Sequence, residues 1–445
     1  MTARETAFKT LGEFRRGKMR AEISYGVTSD ESNMQASETA LAAQIIKGVI
    51  QNLALCDYIA SYFSSIELRK LQPHVLDILR ISTYQILFLN KIPYSAAVNE
   101  GVKLAKKYTN PRATGFINAL LRKIADSAVS GSLPEVLGDC EHQRLSIKYS
   151  HPEWLVQEYC KLLGPDNAEA LLRENNSSNT PITAQINTLL KDTFAVASML
   201  ADDGVETKVH EWLENCVELS SPGRLVRLEA FKKGYIYIQD AASRMAIMAA
   251  APKPGDIVID ACAAPGGKSF AAAILMKNKG RIVACDISAE KLKHIKDGSM
   301  RLGISIIEAI EKDAAEQDSG FWEIADVVLA DVPCSGFGVI RKKPDIRYKS
   351  QQSISGLADI QKKILFNLSS YVKPGGTLLY STCTIFKQEN EDVVEAFLRE
   401  RNEFSAEGFY LPCVGNITDG MVTLWPHTHG TDGFFICKLR RRRKS

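Results

Sequence analysis

The sequence predicts a multidomain protein: an all-α domain over residues 1–128, a small α/β connector over 129–233 and an α/β domain with a doubly wound sheet over 234–445. The chain of 445 residues is longer than one hydrophobic core usually organises. Helical periodicity runs to about residue 126, whereas strand and helix patterns alternate after residue 234. A hydrophobic content of 45% with 24% charged residues excludes a disordered chain.

In the first domain, apolar residues recur three and four positions apart, which is typical of helices that pack on one another. Prolines fall between the periodic segments, where they end one helix or begin the next. The predicted helices cover residues 40–53, 75–89, 96–107 and 114–124, with Pro73, Pro93 and Pro111 between them.

The connector mixes polar segments with Gly- and Pro-bearing ones. A helix is predicted to begin at His151-Pro152-Glu153-Trp154, because proline suits a first helical turn. A short strand is predicted over residues 182–186. No pattern in this domain indicates a chemistry.

The C-terminal domain alternates strands with helices, which predicts a largely parallel sheet. In such sheets, ligands bind at the carboxyl ends of the strands, so the residues that follow each strand are the candidates for function. The predicted strands cover residues 256–262, 281–286, 305–310, 325–331 and 377–382, with a final antiparallel pair at 421–425 and 433–439.

The loop after the first of these strands contains adjacent glycines and leads into a helix. Glycines there let a ligand approach the backbone where helix amides point outward. The loop lacks the G-x-G-x-x-G of dinucleotide sites, and Cys262 stands where a P-loop needs glycine. The candidate binding residues are Cys262, Ala263, Ala264, Pro265, Gly266, Gly267 and Lys268.

Two aspartates follow the next strands. Asp286 ends the second strand, at the position from which a carboxylate accepts hydrogen bonds from ribose hydroxyls. Asp313 follows the third strand and can contact the adenine edge. Taken singly, each aspartate is more often a helix cap or a turn residue. Their order along the sheet predicts an adenosine-containing ligand.

Cys334 and Cys383 follow the fourth and fifth strands, so the predicted fold brings two thiols to one edge of the sheet. A lone cysteine at a strand end is usually a small buried hydrophobe. A thiolate beside an adenosine ligand suits methylation of pyrimidine carbon-5, because thiolate addition to carbon-6 makes carbon-5 nucleophilic. Lys268 is expected to lower the thiol pKa, and Asp331 to hydrogen-bond the N3 and N4 edge of a cytosine.

The motifs Pro333-Cys334-Ser335 and Thr382-Cys383-Thr384, with the loop from Cys262 to Lys268, resemble those of a known family. They are similar to the RNA cytosine-5 methyltransferases that use S-adenosyl-L-methionine, including bacterial 16S rRNA enzymes of the RsmB type. The resemblance covers nearly all of the chain. The first domain resembles the NusB-type RNA-binding fold at residues 79–87, 97–100, 104–106 and 115–121.

This resemblance implies that Cys383 is the nucleophile and that Cys334 assists product release, whereas DNA cytosine methyltransferases attack with the cysteine of the Pro-Cys motif. It also implies a C-terminal Rossmann-like class I methyltransferase domain, in which the glycine loop, Asp286, Asp313 and Asp331 bind S-adenosyl-L-methionine. His427 and His429 lie in the family's closing motif and lack an evident third ligand, so a loop is expected there and no metal.

The net charge of only +3 does not by itself indicate a nucleic-acid ligand, but basic residues cluster after Cys334. These residues, and two residues before the first strand of the C-terminal domain, are expected to contact RNA. They are Arg341, Lys342, Lys343 and Arg347, and Gln239 and Asp240.

The expected activity is methyl transfer to carbon-5 of a cytosine in 16S rRNA, the family's cytosine 967, through a covalent adduct between Cys383 and carbon-6. Two alternatives stay open: the same chemistry on tRNA, and a non-catalytic RNA-binding assembly or antitermination factor. No continuous apolar segment follows the N-terminal residues 1–9, and the cysteines are scattered without a C-x-x-C pair. These two observations predict a cytoplasmic protein without a membrane anchor. A monomer is the expected state.

Overall fold

The computed structural model describes residues 1–17, 35–177, 180–220 and 222–443. The chain forms two compact units. The helical unit comprises Met1–Ser178 together with Ile340–Lys349, and the sheet unit comprises Asn179–Val339 together with Ser350–Ser445.

The helical unit confirms the predicted all-α N-terminal domain, but it extends beyond the predicted boundary at residue 128 and includes three helices between residues 141 and 175 that the sequence assigned to the connector. Its core is formed by apolar side chains such as Ile45, Ile78 and Leu121. Asn110 begins one helix by accepting a hydrogen bond from the Ala113 amide at 2.8 Å, and Pro111 occupies the first turn of that helix, as Pro73 and Pro165 do in two others. The helices are α1 (Ala3–Arg15), α2 (Ala36–Gln51), α3 (Leu53–Phe63), α4 (Pro73–Phe88), α5 (Tyr94–Tyr108), α6 (Pro111–Val129), α7 (Glu141–Tyr149), α8 (Glu153–Leu163) and α9 (Pro165–Asn175).

In the described parts of the chain, no single helix is long and apolar enough to cross a membrane. The pair Ser37–Gln51 and Leu53–Phe63 meets that test jointly but bends by 78°.

The basic segment after Cys334 includes one side chain that is fully buried in the helical unit. Arg347 is 0% exposed, and its guanidinium donates hydrogen bonds to the carbonyl oxygens of Gln51, Tyr149, Ser150 and Asn175 at 2.9–3.3 Å. Burial lowers the pKa of Arg347 to about 10, which leaves it charged at neutral pH. A guanidinium in this position cannot contact RNA phosphates, so the structure gives Arg347 a structural role instead of the expected RNA contact.

Arg341 departs from the expected RNA contact in the same way. It is 3% exposed and pairs with Glu174 at 3.1 Å within the helical unit. Lys342 is half-buried, whereas Lys343 is exposed. The four basic residues are close together in the sequence, but they differ in exposure. Of the four, Lys343 is the exposed one and is the one best able to contact RNA.

Replacing Arg347 by methionine should lower the free energy of unfolding by about 3 kcal/mol, because several buried carbonyls lose their donor at once. Urea unfolding followed by circular dichroism measures the change. Lys343→Met is the matched control and should change stability by less than about 0.5 kcal/mol. Equal effects of the two substitutions would contradict the structural role of Arg347.

The sheet unit contains a four-stranded antiparallel sheet, which gives the connector its α/β character. The fourth strand, at 236–238, lies beyond the sequence boundary at residue 233, because it pairs with the predicted strand at 182–186. The elements are β1 (Ile182–Ile186), β2 (Glu206–Val209), β3 (Cys216–Ser220) and β4 (Ile236–Ile238) in the order β2-β3-β1-β4, with α10 (Thr193–Asp202) and α11 (Glu229–Lys232).

The larger sheet confirms the predicted doubly wound domain, with five parallel strands extended by antiparallel ones. Its strands are β5 (Ile257–Asp260), β6 (Arg281–Asp286), β7 (Ile307–Glu311), β8 (Ala325–Asp331), β9 (Val372–Thr382), β10 (Phe404–Ala406), β13 (Met421–Leu424) and β14 (Phe434–Arg441), and a separate hairpin holds β11 (Phe409–Leu411) and β12 (Gly415–Ile417). The helices are α12 (Ala241–Ala250), α13 (Gly267–Leu275), α14 (Ala289–Arg301), α15 (Leu357–Ser369), α16 (Glu391–Glu400) and α17 (Pro426–His429).

Alternate residues of the strands enter two separate cores, one on each face of this sheet. Val258 and Val327 face one core, and their neighbours Ile259 and Val328 face the other. The strand order β10-β14-β9-β8-β5-β6-β7 makes β8 and β9 parallel neighbours. Their carboxyl ends therefore lie side by side. The candidate site is at this edge of the sheet, after β8 and β9.

Candidate active site

The two cysteines expected at one edge of the sheet lie in contact. Asp331 at the end of β8 is in register with Ser381 near the end of β9. Cys334 and Cys383 follow these residues, and their Sγ atoms are 3.2 Å apart. Both cysteines are half-buried and free of disulfides. A thiol and a thiolate at this separation share a hydrogen bond, so the two groups titrate as a pair.

The two thiols have different pKa values. The hydrogen bond from Cys334 lowers the pKa of Cys383, and the nearby Lys268 ammonium adds to this effect against the opposing effects of burial and Asp331. The hydrogen bond to Cys383 raises the pKa of Cys334, as do burial and the charges of Cys383, Glu389 and Asp331. Cys383 is therefore the better thiolate and Cys334 the proton donor that stabilises it.

Cys334→Ala should raise the pKa of Cys383, because the thiolate loses its donor, so the reactivity of Cys383 should appear at higher pH than in the unmodified protein. Alkylation of Cys383 by iodoacetamide across pH, read by peptide mass spectrometry, measures this shift. Cys413→Ala, which removes a half-buried thiol outside the pair, is the control and should leave the profile unchanged. A profile displaced to lower pH by Cys334→Ala would contradict the assigned donor.

Asp331 and Lys268 flank the thiols. Lys268 Nζ donates to Asp331 Oδ2 at 2.7 Å and lies 5.2 Å from the centre of the Phe434 ring. Burial lowers the pKa of Lys268, but Asp331 outweighs burial and raises it overall. Ser381 Oγ donates to the other carboxylate oxygen of Asp331 at 2.8 Å. The carboxyl group is thus held in place while 28% of the Asp331 side chain stays exposed to a ligand.

A buried carboxylate joins the two cysteine-bearing segments, and the sequence analysis did not identify it. Glu389 is 0% exposed and accepts hydrogen bonds from the Ser335 amide at 2.8 Å, from the Ser335 hydroxyl and from Gln361 Nε2 at 3.0 Å. Ser335 also contacts Thr384, which follows Cys383, at 2.9 Å. Glu389 stands six residues after Cys383 in the polar run Lys387-Gln388-Glu389-Asn390-Glu391-Asp392, so nothing in the sequence distinguishes it from its neighbours.

The glycine loop makes the turn that the sequence predicted. Gly266 begins α13 with φ +110°, and a Cβ there would lie 2.6 Å from the Phe270 ring, so only glycine fits. The α13 N-terminus has no side-chain cap, so its first amides remain available to a ligand. Burial raises the pKa of Asp260, just before the loop, to about 6, although Ser269 Oγ donates to it at 2.6 Å. The uncapped backbone amides at the start of α13 can bind an anionic or zwitterionic ligand.

Asp286 lies beside this loop, and Asp313 follows β7, the next strand of the sheet beyond β6. Asp286 Oδ2 accepts a hydrogen bond from the Ala264 amide at 3.3 Å, and its Oδ1 accepts one from the Ser288 amide at 3.0 Å. Asp313 Oδ1 accepts one from the Ala315 amide at 2.8 Å. Both carboxylates thus act as turn residues, and their remaining lone pairs can accept further hydrogen bonds from a nucleoside.

Gln239 and Asp240, the two residues before β5 that were expected to contact RNA, differ in exposure: Gln239 is buried and Asp240 is half-buried. Gln239 is 7% exposed, which is too buried for direct contact with RNA. Asp240 caps α12 by accepting a hydrogen bond from the Ala242 amide at 2.9 Å and accepts another from the Asp432 amide at 3.3 Å. The RNA contact predicted for Asp240 stays a prediction.

No group of three or more His, Cys, Asp or Glu side chains that could hold a metal ion occurs among the described residues. His429 Nδ1 accepts a hydrogen bond from the Trp425 amide at 2.8 Å.

Three family models match this chain. The model of the 16S rRNA methyltransferase RsmB/F family matches residues 247–440, and the NusB family model matches residues 1–126. The ferredoxin-like domain of RsmF/B-like methyltransferases matches residues 151–225.

Similar proteins extend over the whole chain. The "probable ribosomal RNA small subunit methyltransferase B" of Bacillus subtilis is 35% identical over 99% of both chains. The ribosomal RNA small subunit methyltransferase B of Vibrio cholerae is 31% identical over 94% of this chain and 93% of its own. A solved chain named PH0851 is 30% identical, covers 99% of this chain and 98% of its own, and has a TM-score of 0.79.

The fold, the glycine loop and the paired thiols therefore define a methyltransferase that uses S-adenosyl-L-methionine. A structure of NSun6 from Pyrococcus horikoshii, obtained with the S-adenosyl-L-methionine analogue SFG, shares this fold with a TM-score of 0.60 and 23% identity over 66% of this chain and 99% of its own. The chain belongs to the ribosomal RNA small subunit methyltransferase B family, whose members methylate RNA.

Proposed function

We propose that this protein methylates carbon-5 of one cytosine in 16S rRNA, at the position that the family numbers 967. The observation that carries the proposal is the Cys334–Cys383 pair, with Sγ atoms 3.2 Å apart beside Asp331 and Lys268. A methyltransferase that acts on a nitrogen or oxygen atom has no need for two thiols. Carbon-5 of cytosine needs them because it is too weakly nucleophilic to take a methyl group directly.

The Cys383 thiolate attacks carbon-6 of the cytosine, so that a C–S bond forms and the electron pair of the 5,6 double bond moves toward carbon-5. Asp331 accepts a hydrogen bond from the N4 amino group at the N3 and N4 edge, and the Lys268 ammonium that pairs with Asp331 stabilises the negative charge that develops in the ring. When bound, S-adenosyl-L-methionine supplies an electrophilic methyl group. Carbon-5 takes this methyl group, and the bond between the methyl carbon and sulfur breaks.

Release of the product requires loss of the proton on carbon-5. The electron pair of that C–H bond re-forms the 5,6 double bond and expels the Cys383 thiolate from carbon-6. Cys334 is positioned to assist this step. The largest cause of its raised pKa is Cys383 itself, and Cys383 carries no charge once it has become a thioether. Cys334 is therefore more easily deprotonated in the adduct than in the free protein, at the stage where a base is required.

Transfer of labelled methyl from S-adenosyl-L-methionine to small-subunit rRNA from cells lacking the gene, followed by bisulfite sequencing, tests the proposal. One new 5-methylcytosine is the expected result. Labelling of tRNA in place of rRNA would keep the chemistry and overturn the substrate. If neither RNA is labelled although the cofactor binds, the protein is instead a non-catalytic RNA-binding factor.

A cytoplasmic location and a monomeric state stay predictions.

A further inference from the structure

Gln239 has a buried side chain beside the glycine loop, and its amide group makes no hydrogen bond to the described residues. It is 7% exposed, yet neither Nε2 nor Oε1 has a hydrogen-bond partner among the described residues. Its backbone is held firmly, since its amide donates to the Thr183 carbonyl at 3.2 Å and its carbonyl accepts from Gln185 Nε2 at 3.3 Å. Burying an amide without partners is unfavourable, so an amide fixed in this way is suited to a ligand.

The amide lies against the first residue of α13. A Cβ placed on Gly267 would be in van der Waals contact with Gln239 Nε2, at 3.4 Å, which shows how close the amide lies to the start of the helix. The first amides of α13 have no side-chain cap, because Gly266 occupies the cap position. Two sets of unsatisfied groups therefore meet here: the helix amides, which favour a negative charge, and the Gln239 amide, which can both donate and accept.

A ligand that binds both the helix amides and the Gln239 amide needs a carboxylate and a hydrogen-bond donor close together. The α-amino-acid end of S-adenosyl-L-methionine carries both groups. The order of the strands agrees with this assignment. Asp286 on β6, expected at the ribose, lies to one side of β5, and Cys383 after β9, beside the methyl group, lies to the other. The amino-acid end is the part of the cofactor left for the loop after β5, where Gly267 and Gln239 meet.

We propose that Gln239 binds the α-amino-acid end of the cofactor and is a cofactor-positioning residue, in place of the RNA contact expected from the sequence. The proposal rests on the cofactor and is independent of which base is methylated. It also gives the unsatisfied amide a partner, because the amide is satisfied when the cofactor binds.

The test compares two ligands by isothermal titration calorimetry. S-adenosylhomocysteine carries the amino-acid end, whereas 5′-methylthioadenosine carries the same nucleoside without it. Gln239→Met keeps the approximate volume of the side chain and removes both polar atoms. It should weaken S-adenosylhomocysteine binding about tenfold or more and leave 5′-methylthioadenosine binding within about twofold. Gln352→Met, on an exposed side chain of the same unit, is the control and should change neither affinity.

A second readout separates this role from a structural one. Because Gln239→Met removes a buried amide without partners, it should raise the Tm of the ligand-free protein by about 2 °C or more. A lower Tm would overturn the proposal, as would equal losses for both ligands or no loss for S-adenosylhomocysteine. Failure of the cytosine-5 proposal would leave these binding results unchanged, so the two proposals fail separately.

Discussion

Cys383→Ala is expected to lower methyl transfer to RNA by a factor of about 10⁴ or more, because the variant cannot form the bond to carbon-6 on which every later step depends. Binding of S-adenosylhomocysteine should stay within about twofold, because the glycine loop, Asp286 and Asp313 are unchanged. The measurement combines labelled methyl transfer under single-turnover conditions with calorimetry of the ligand.

Cys413→Ala is the matched control, since Cys413 is a half-buried free thiol in the same unit. It should transfer methyl at the unmodified rate. If Cys383→Ala kept most of its activity, the nucleophile would have to be reassigned to Cys334, as in DNA cytosine methyltransferases. If both variants lost activity together, misfolding would explain the result, and the ligand titration identifies that outcome.

Cys334→Ala is expected to stop turnover after one event and to accumulate a covalent protein–RNA adduct. Cys383 remains able to attack carbon-6, but the thiol that assists release is gone, so the adduct forms faster than it resolves. The adduct should resist denaturation and appear as a slower band on a denaturing gel with labelled RNA. Because the substitution also raises the pKa of Cys383, the adduct should form faster at pH 8.5 than at pH 7.

Cys383→Ala/Cys334→Ala is the control for this experiment and should give no adduct, because it lacks the nucleophile. An adduct in the Cys383→Ala variant, and none in Cys334→Ala, would exchange the two roles. Normal turnover of Cys334→Ala would show that another group removes the proton, and Asp331, which hydrogen-bonds Lys268, would be the next residue to substitute.

Much of the fold could be predicted from the sequence, because its signals are local. The strands ending at Asp286 and Asp331 have the bounds that the pattern predicted. The predicted helix over residues 40–53 ends within two residues of the end of α2, but α3 (Leu53–Phe63) was not among the predicted helices. The strand β9 begins at Val372 rather than at 377 and runs through Pro374 and Gly375, which normally indicate a turn. Pro374 and Gly375 lie in an irregularity between the pairs Ala325–Val372 and Val327–Thr377, and Gly375 has φ +83°, so the local turn signal is expressed as a bulge inside the strand.

The candidate site divides in the same way. The glycine loop and the cysteines were identified because each follows a strand, and the carboxyl ends of parallel strands meet at one edge. Glu389 was missed because its importance depends on Ser335 and Gln361, which are distant in sequence. The same limit applies to Arg347, since charge in a sequence indicates solvent or phosphate but carries no information about distant carbonyls.

The sequence by itself determined the fold classes, the edge of the sheet where function lies and the residue types gathered there, because periodicity and strand-end position are properties of contiguous segments. Only the tertiary structure decided which thiol is the stronger acid, which arginines are buried and which amide is left without a partner. Acidity, burial and hydrogen bonding depend on distances between residues far apart in the chain. The 3.2 Å between Cys334 and Cys383, which are 49 residues apart, is such a distance.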